Sequence, residues 1–198
     1  ALISGALARA GHEVQQHDLL AAGGAPLPIL NTLKRPKPDL VCLSIRNMDN
    51  VDSLGVSGNC RGLDFAREII GEIRLVCDAP IIAGGSGFSI AAEAALDYIG
   101  ADYGVAGEGE QLLPELVGAL SAGGNIPRIS VANRNPMNLD DLPEPLHDPA
   151  LMRFYREKSG ILNVQTKRGC PMHCAYCTYP MLEGACMRLR PPEQVVEE

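Results

Sequence analysis

The sequence contains no tryptophan, and aromatic residues make up only 4% of its 198 residues. It has no apolar run of the roughly 18–20 residues that a membrane-spanning helix needs, and no secretion signal is visible at its start. An excess of basic residues is also missing, since the net charge is −7. These absences argue against an aromatic-rich β-sandwich, a transmembrane segment, an exported protein and a nucleic-acid backbone as the main partner.

Seven cysteines are present: Cys42, Cys60, Cys77, Cys170, Cys174, Cys177 and Cys186. An odd number without an export signal does not resemble a disulfide framework, and three of them lie within eight residues, which is typical of metal ligands. We therefore expect a reducing, cytoplasmic location. Cys42 and Cys77 are predicted to pack in or near the core, and Cys60 is predicted to be a free thiol in a polar loop.

Strand and helix patterns alternate at short spacing through residues 1–125, which predicts an α/β fold with a parallel, doubly wound sheet. The strands are predicted at 12–19, 38–45, 79–85 and 101–107. The second strand is nearly continuous in apolar residues and is expected to be covered on both faces. The helices are predicted at 1–10, with Gly11 as the C-terminal cap, and at 63–76, 89–100 and 111–124, with Ser89 as an N-cap, Gly100 as a stop and Pro114 in a first turn.

Residues 126–160 are rich in Pro, Asn and Asp and show little periodicity, so they are predicted to form an irregular interdomain linker. A β-pattern resumes at 161–169. The sequence thus divides into a first domain at 1–125, the linker, and the beginning of a second domain at 161–198. Both ends of the chain are expected to be cut within a domain.

The segment KRGCPMHCAYCTYP places thiols at Cys170, Cys174 and Cys177. Such spacing lets one loop wrap three thiolates around an inorganic centre, and a four-iron cluster with three protein ligands keeps one iron open. Zinc is an alternative, with His173 or Cys186 as the fourth ligand, although structural zinc sites usually pair two-residue spacings. Packing in the core is a second alternative.

The GCPxxCxYC pattern directly after a predicted strand resembles the signature of the radical S-adenosylmethionine (SAM) superfamily. The resemblance implies a 4Fe-4S cluster on the three cysteines, with Tyr176 near the adenine of SAM. It also implies a (β/α) barrel with the cluster loop after its first strand, at the face where barrel active sites lie. Most of that barrel would follow Glu198, so the fragment alone is expected to be inactive.

Residues 1–125 resemble the cobalamin-binding domain that precedes the barrel in many of these enzymes. The segments that carry this resemblance are ALARAGHEV, PDLVCLSI, PIIAGGSGFS and GADYGVAGEGEQLLPEL. The implied fold is flavodoxin-like (Rossmann-type), with the ligand outside the carboxyl ends of the strands. The candidate cobalamin contacts are Ser44, Gly84, Gly85, Ser86, Ser89, Gly107, Glu108 and Gly109. The alternative is that Gly84 and Gly85 only shape a turn.

The family's sheet has a central strand before the first helix, and this strand is expected to be missing here. Some cobalamin proteins carry an axial histidine in the loop after that strand, and neither His12 nor His17 lies there. The polar segment at 44–50 is predicted to be a solvated loop, with contact to corrin amides or to the partner domain as the alternative.

The resemblance implies a cobalamin-dependent radical SAM enzyme that transfers a methyl group to an unactivated carbon of a lipid or natural-product-like substrate. An external one-electron reductant would be a partner, and nucleic acid would not. Two alternatives remain. One is a radical SAM enzyme of another reaction type whose N-terminal domain does not bind cobalamin. The other is a zinc-stabilised α/β binding module without enzymatic activity.

Overall fold

The structure of the chain is a computed structural model that describes residues 1–24, 26–34, 36–48, 62–132 and 137–198. These residues group into two compact units. The first unit comprises 1–24, 110–124 and 133–198, and the second comprises 25–109 and 125–132. The three-part division of the sequence given above follows motifs and not contacts, so it stays a prediction. No helix within the described ranges is long and apolar enough to cross a membrane.

A four-stranded parallel sheet is the centre of the second unit. Its strands lie in the order β1 (Val41–Ser44), β2 (Ile81–Gly84), β3 (Tyr103–Ala106) and β4 (Ile129–Val131). The register pairs Ser44 with Gly84, so β1 and β2 end at the same level. This parallel α/β arrangement confirms the predicted fold class, and it brings the loops that follow the strands to one edge of the sheet.

The helices of the second unit are α2 (Leu27–Thr32), α3 (Gly62–Arg74), α4 (Ser86–Ile90) and α5 (Ala92–Ile99). The buried positions of α3 recur at helical spacing, at Ala66, Ile69, Ile70 and Ile73. The α4 side chain Phe88 is fully buried and contributes about 1.5–3 kcal/mol through its removal from water. The buried stripe of α3 confirms the amphipathic pattern predicted for this helix.

Strand β1 differs from its prediction. Its residues alternate between half-buried and exposed, and Cys42 and Ser44 are on the exposed face. Within the described residues β1 is the edge strand of the sheet, and it pairs only with β2. The expectation of a strand covered on both faces was therefore wrong. Cys42, expected in or near the core, is exposed as a residue, although burial raises the pKa of its thiol to about 11. Cys77 is buried, as predicted.

The helix predicted at 89–100 is two helices. The backbone of Ala91 is not helical, with φ −145° and ψ 59°, and this residue therefore separates α4 from α5. Ser89 is consequently inside α4 and is not an N-cap. The stop at Gly100 is confirmed, because this glycine ends α5 in the left-handed conformation with φ 75°.

The first unit is mostly helical. It contains α1 (Leu2–Arg9), nearly all of α6 (Gly109–Ser121), α7 (Pro149–Ser159), α8 (Tyr179–Glu183) and α9 (Pro192–Glu197). Because α6 begins at Gly109, Pro114 is its sixth residue and not part of a first turn as predicted. A small buried cluster in this unit consists of Met137, Leu139 and Leu142.

Two predicted strands are absent or shortened in the first unit. Residues 12–18 are not a strand. The side chain of Gln16 instead forms two hydrogen bonds with the backbone: it donates to the Leu146 carbonyl at 2.6 Å and accepts from the Asp148 amide at 3.1 Å. The β-pattern at 161–169 yields only β5 (Lys167–Arg168), which pairs antiparallel with β6 (Arg188–Leu189). Long strands need partners along their whole length, and the described residues supply few here.

The proline-rich segment 126–160 is more regular than predicted. It contributes β4 to the sheet, a 3-10 turn at Leu139–Asp141 and helix α7. Helix α7 begins because Asp148 accepts hydrogen bonds from the amides of Ala150 and Leu151, at 2.8 and 3.0 Å, with Pro149 at the first helical position. The low periodicity came from short elements and not from irregular packing.

Candidate functional site

The first candidate site is the edge of the sheet where the strands of the second unit end. Ser44 is the last residue of β1, with its side chain exposed, and Gly84 is the last residue of β2 at the matching register. Gly107 follows β3 and is also exposed. Parallel strands bring these three predicted residues to one edge, which is the position of ligands in open α/β sheets.

Gly85 allows the close backbone approach at this edge. Its φ is 101°, and a Cβ atom there would lie 2.6 Å from the carbonyl oxygen of Ile45 and 2.9 Å from its nitrogen. The Ile45 carbonyl accepts the Gly87 amide at 3.0 Å, while the Ile45 amide donates to the Gly84 carbonyl at 2.8 Å. Only glycine fits between these bonds, so the turn after β2 depends on it.

The hydroxyl of Ser89 joins two of the predicted loops. It donates to the carbonyl of Gly85 at 2.8 Å and accepts from the amide of Gly107 at 2.9 Å. The hydroxyl proton is therefore already used, and towards a ligand Ser89 would act only through its remaining lone pair. Its structural role is to link the turn after β2 to the turn after β3.

The other predicted contacts at this edge differ in their surroundings. Ser86 is exposed and donates to the carbonyl of Arg46 at 3.0 Å. Glu108 is half-buried, and Gly109 is buried at the first position of α6. In the polar segment 44–50, Ile45 is buried while Arg46 and Asn47 are exposed; its last two residues lie outside the described residues. Cys60 lies outside them as well.

The second candidate site is the cysteine loop of the first unit. Cys170 is half-buried, whereas Cys174 and Cys177 are exposed, and all three are free thiols. The Cys177 amide donates to the Cys174 carbonyl at 3.0 Å, which closes a tight turn between these two residues. Tyr176, predicted to lie near SAM, is 90% exposed. The loop thus presents its thiols and its aromatic ring to the outside of the unit.

The beginning of the loop is held in place by backbone hydrogen bonds. The amide of Gly169 donates to the Glu183 carboxylate at 3.1 Å, and the amide of Cys170 donates to the Gly184 carbonyl at 3.1 Å. Gly169 has φ 77°, and a Cβ atom there would collide with the carbonyl oxygen of Cys186. Arg188 donates to the Glu183 carbonyl at 2.8 Å. The backbone that leads into Cys170 is therefore held by two hydrogen bonds, at the amides of Gly169 and Cys170.

Aromatic and cationic side chains flank the end of the same loop. The ammonium group of Lys167 lies 5.4 Å from the centroid of the Tyr179 ring. A hydrogen bond to Glu183 raises the pKa of Tyr179 to about 12, with smaller contributions from burial and from the charge of Glu183. The Tyr179 hydroxyl consequently stays protonated at neutral pH.

The prediction from sequence missed an ion pair next to the first cysteine. The guanidinium of Arg168 donates to both carboxylate oxygens of Glu110, at 2.5 and 3.2 Å, and each side chain is only 6% exposed. The two residues are 58 positions apart, and each alone looks like an ordinary surface charge. A charged residue directly before the cysteine loop was the only available signal.

The donor set fits the group that the sequence predicts. Three free thiols on one short loop match the ligands of an iron–sulfur cluster with one open iron. Their side chains are not gathered, since no group of three or more His, Cys, Asp or Glu residues in the described ranges is arranged to hold a metal ion. The assignment of Cys170, Cys174 and Cys177 as ligands therefore stays a prediction, and so does zinc with His173 or Cys186.

Two curated proteins are similar to the chain. One is a tryptophan 2-C-methyltransferase from Streptomyces laurentii, 37% identical over 117 residues, which cover 57% of this chain and 19% of that protein. The other is a hopanoid C-3 methylase from Methylococcus capsulatus, 27% identical over an alignment of 210 positions that covers 100% of this chain and 38% of that protein. The chain thus spans well under half the length of these relatives.

A solved structure extends the similarity to three dimensions. The radical SAM methyltransferase TsrM from Kitasatospora setae, with cobalamin and a 4Fe-4S cluster bound, matches with a TM-score of 0.80 and 27% identity. The match covers 100% of this chain and 41% of that one. The same enzyme with tryptophan and a SAM analogue bound matches with a TM-score of 0.75. Both parts of the predicted fold therefore have a counterpart in one known enzyme.

The family model described as the B12 binding domain matches residues 1–117. This is more than half of the 198 residues, and it includes the edge of the sheet with its glycine turns. The chain belongs to the B12-binding domain family.

Proposed function

We propose that the chain is part of a cobalamin-dependent radical SAM enzyme that transfers a methyl group to an unactivated carbon of a small molecule of lipid or natural-product type. The observation that carries the proposal is the combination of two features in one chain. A B12-binding domain match at 1–117 is followed by a three-thiol loop at 170–177. The whole length of the chain is similar to part of a methyltransferase structure that contains cobalamin and a 4Fe-4S cluster.

In this proposal Cys170, Cys174 and Cys177 are the cluster ligands. When bound, a cluster with three thiolates keeps one iron for SAM and supplies the electron that cleaves it, while cobalamin carries the methyl group. The chain's own contribution is to hold the thiols on one loop, with Cys170 fixed by the Gly184 carbonyl. Tyr176, exposed directly before Cys177, is proposed to cover the adenine of SAM.

The edge of the sheet is proposed to bind cobalamin. The glycine turn at Gly84 and Gly85 lets a large ligand approach the backbone, and the exposed hydroxyl of Ser44 lies at the same level. Ser86, Ser89 and the segment 107–109 complete the proposed contacts. Ser89 would accept a hydrogen bond from a corrin amide, because its own proton is given to Gly85.

Chemistry of this kind needs an external one-electron reductant that supplies the cluster with electrons. The thiols must also stay reduced, which favours the cytoplasm. The substrate class is proposed from the relatives, whose names specify tryptophan and hopanoids.

The test uses the full-length protein that carries this chain, purified without oxygen and reconstituted with iron, sulfide and hydroxocobalamin. Iron and zinc content and the absorption spectrum are recorded for the wild type and for Cys174→Ala. Cys186→Ala is the matched control, since it removes another exposed cysteine just outside the loop. We expect about four irons per chain and a retained corrin band in the wild type and in Cys186→Ala, and loss of iron alone in Cys174→Ala.

The other outcomes separate the alternatives. Iron without a corrin band would favour a radical SAM enzyme whose N-terminal domain does not bind cobalamin. Zinc in place of iron, lost in Cys186→Ala or His173→Ala, would refute the enzyme and favour the zinc-stabilised module. Incubation with methyl-labelled SAM, a reductant, and tryptophan or a hopanoid then tests methyl transfer directly.

A further inference from the structure

The pair Glu110 and Arg168 has no part in the function proposed so far, although it is the most deeply buried bidentate ion pair of the described residues. Both terminal guanidinium nitrogens of Arg168, Nη1 and Nη2, donate to the Glu110 carboxylate. Removing two charges from water can cost more than such a pair returns, and apolar side chains of similar size often stabilise a fold as well or better. Net stability is therefore a weak reason for the pair, whereas the geometry that it imposes is specific.

That geometry extends from Arg168 to the cysteine loop. The Nε atom of Arg168 donates to Gln165 at 3.0 Å, and Gln165 donates in turn to the Glu183 carboxylate at 3.5 Å. The second carboxylate oxygen of Glu183 accepts the amide of Gly169 at 3.1 Å. A continuous chain of hydrogen bonds thus connects Glu110 to the backbone next to Cys170.

The planar fork of an arginine held by two parallel hydrogen bonds has a fixed orientation, unlike a lysine ammonium. Because Arg168 and Cys170 are separated by one residue, a fixed Arg168 restricts where the Cys170 thiol can lie. Gly169 between them leaves no room for a side chain, since its φ is 77° and a Cβ atom there would collide with the carbonyl oxygen of Cys186. Cys170 is half-buried, whereas the other two thiols are exposed.

We propose that Glu110 is a positioning residue for the iron–sulfur cluster, acting through Arg168 to hold Cys170 in place as the first ligand; this rests on the proposed function of the cysteine loop. Glu110 does not contact the cluster. It acts as groups behind a metal ligand do, by orienting the ligand before the metal binds. The loop is then set at its Cys170 end, and Cys174 and Cys177 close around the cluster.

The experiment compares three variants in the full-length reconstituted protein: Glu110→Gln, Arg168→Lys and the double variant Glu110→Leu/Arg168→Met. Replacement of groups behind a metal ligand typically weakens metal retention by about 10–100-fold. We therefore expect each variant to lose iron to an anaerobic chelator at least about tenfold faster than the wild type. The spectroscopic readout is the electron paramagnetic resonance signal of the reduced cluster with and without SAM, which we expect to shift.

The double variant separates positioning from folding. It leaves no unpaired buried charge, so its melting temperature should return towards the wild-type value even where a single variant is destabilised. The exposed pair of Arg128 and Asp97 provides the control, because Asp97→Asn removes an ion pair far from any thiol in sequence and should leave iron retention and the signal unchanged.

Each result has one meaning. Fast iron loss and a shifted signal in a double variant that melts like the wild type would support the positioning role. A double variant that melts, retains iron and gives a signal like the wild type would overturn it, since the pair would then only stabilise the fold. A wild-type protein without iron would overturn the proposed function of the loop, and the positioning role with it.

Discussion

Substitution of Gly85 by alanine tests the geometry of the edge of the sheet. A residue with a Cβ atom at φ 101° costs about 1–2 kcal/mol in backbone strain. The added atom would also lie 2.6 Å from the Ile45 carbonyl oxygen, which accepts the Gly87 amide. Weakening that hydrogen bond costs about 0.5–1.5 kcal/mol, so together with the strain we expect a loss of about 1.5–3.5 kcal/mol in the free energy of unfolding.

Substitutions at two other glycines separate the cost of backbone strain from the cost of the contact with Ile45. Gly100 has φ 75° but no heavy atom within 4 Å of an added Cβ, so Gly100→Ala should cost only the strain of about 1–2 kcal/mol. Gly71 lies inside α3, and a Cβ atom added there would likewise have no heavy atom within 4 Å. Gly71→Ala should therefore raise the free energy of unfolding by up to about 1 kcal/mol.

The assay is urea unfolding followed by circular dichroism on the full-length protein. With a slope of about 2 kcal/mol per molar urea, Gly85→Ala should unfold at a midpoint about 1–2 M below the wild type. The expected order of midpoints is Gly71→Ala highest, then the wild type, Gly100→Ala and Gly85→Ala. Equal midpoints for Gly85→Ala and Gly100→Ala would show that the contact with Ile45 has no energetic weight and would refute the reasoning.

Three further substitutions test other parts of the molecule. Phe88→Ala should cost about 3–5 kcal/mol, because the ring is fully buried against Gly104; a thermal shift of less than a few degrees would contradict this. Ser89→Ala should weaken cobalamin binding, since the turn at Gly107 loses its acceptor; titration of the corrin absorbance measures it, and an unchanged affinity would count against the linked turns. Asp148→Ala should cost about 1 kcal/mol by removing the cap of α7, seen as a lower melting temperature, whereas no change would mean that Pro149 alone begins the helix.

Much of the fold could be predicted because its signals are local. The apolar spacing of α3 and the left-handed stop at Gly100 depend on residues within one or two turns of helix. Ser89 was misjudged because its hydroxyl contacts Gly107, which is 18 positions away. The exposure of Cys42 likewise depends on what covers β1, and a strand pattern carries no information about its neighbours.

The candidate sites divide in the same way. The cysteine spacing and the glycine turns were visible in the sequence, because both are short segments whose chemistry requires those residue types. The pairing of Glu110 with Arg168 was not visible, because it joins positions 58 apart and neither residue is unusual by itself. The two charges are unusual only because they are buried together, and the sequence does not show which residues the folded chain buries.

The separation of Glu110 and Arg168 also has a consequence for synthesis. At about 5–20 residues per second, Glu110 leaves the ribosome about 3–12 s before the arginine that neutralises it. During that interval the carboxylate must stay in water, because a lone buried charge is far too costly. The first turn of α6 can therefore reach its final place only after Arg168 has emerged, and because Cys170 follows Arg168 by only two residues, the ion pair and the cysteine loop become available at nearly the same time.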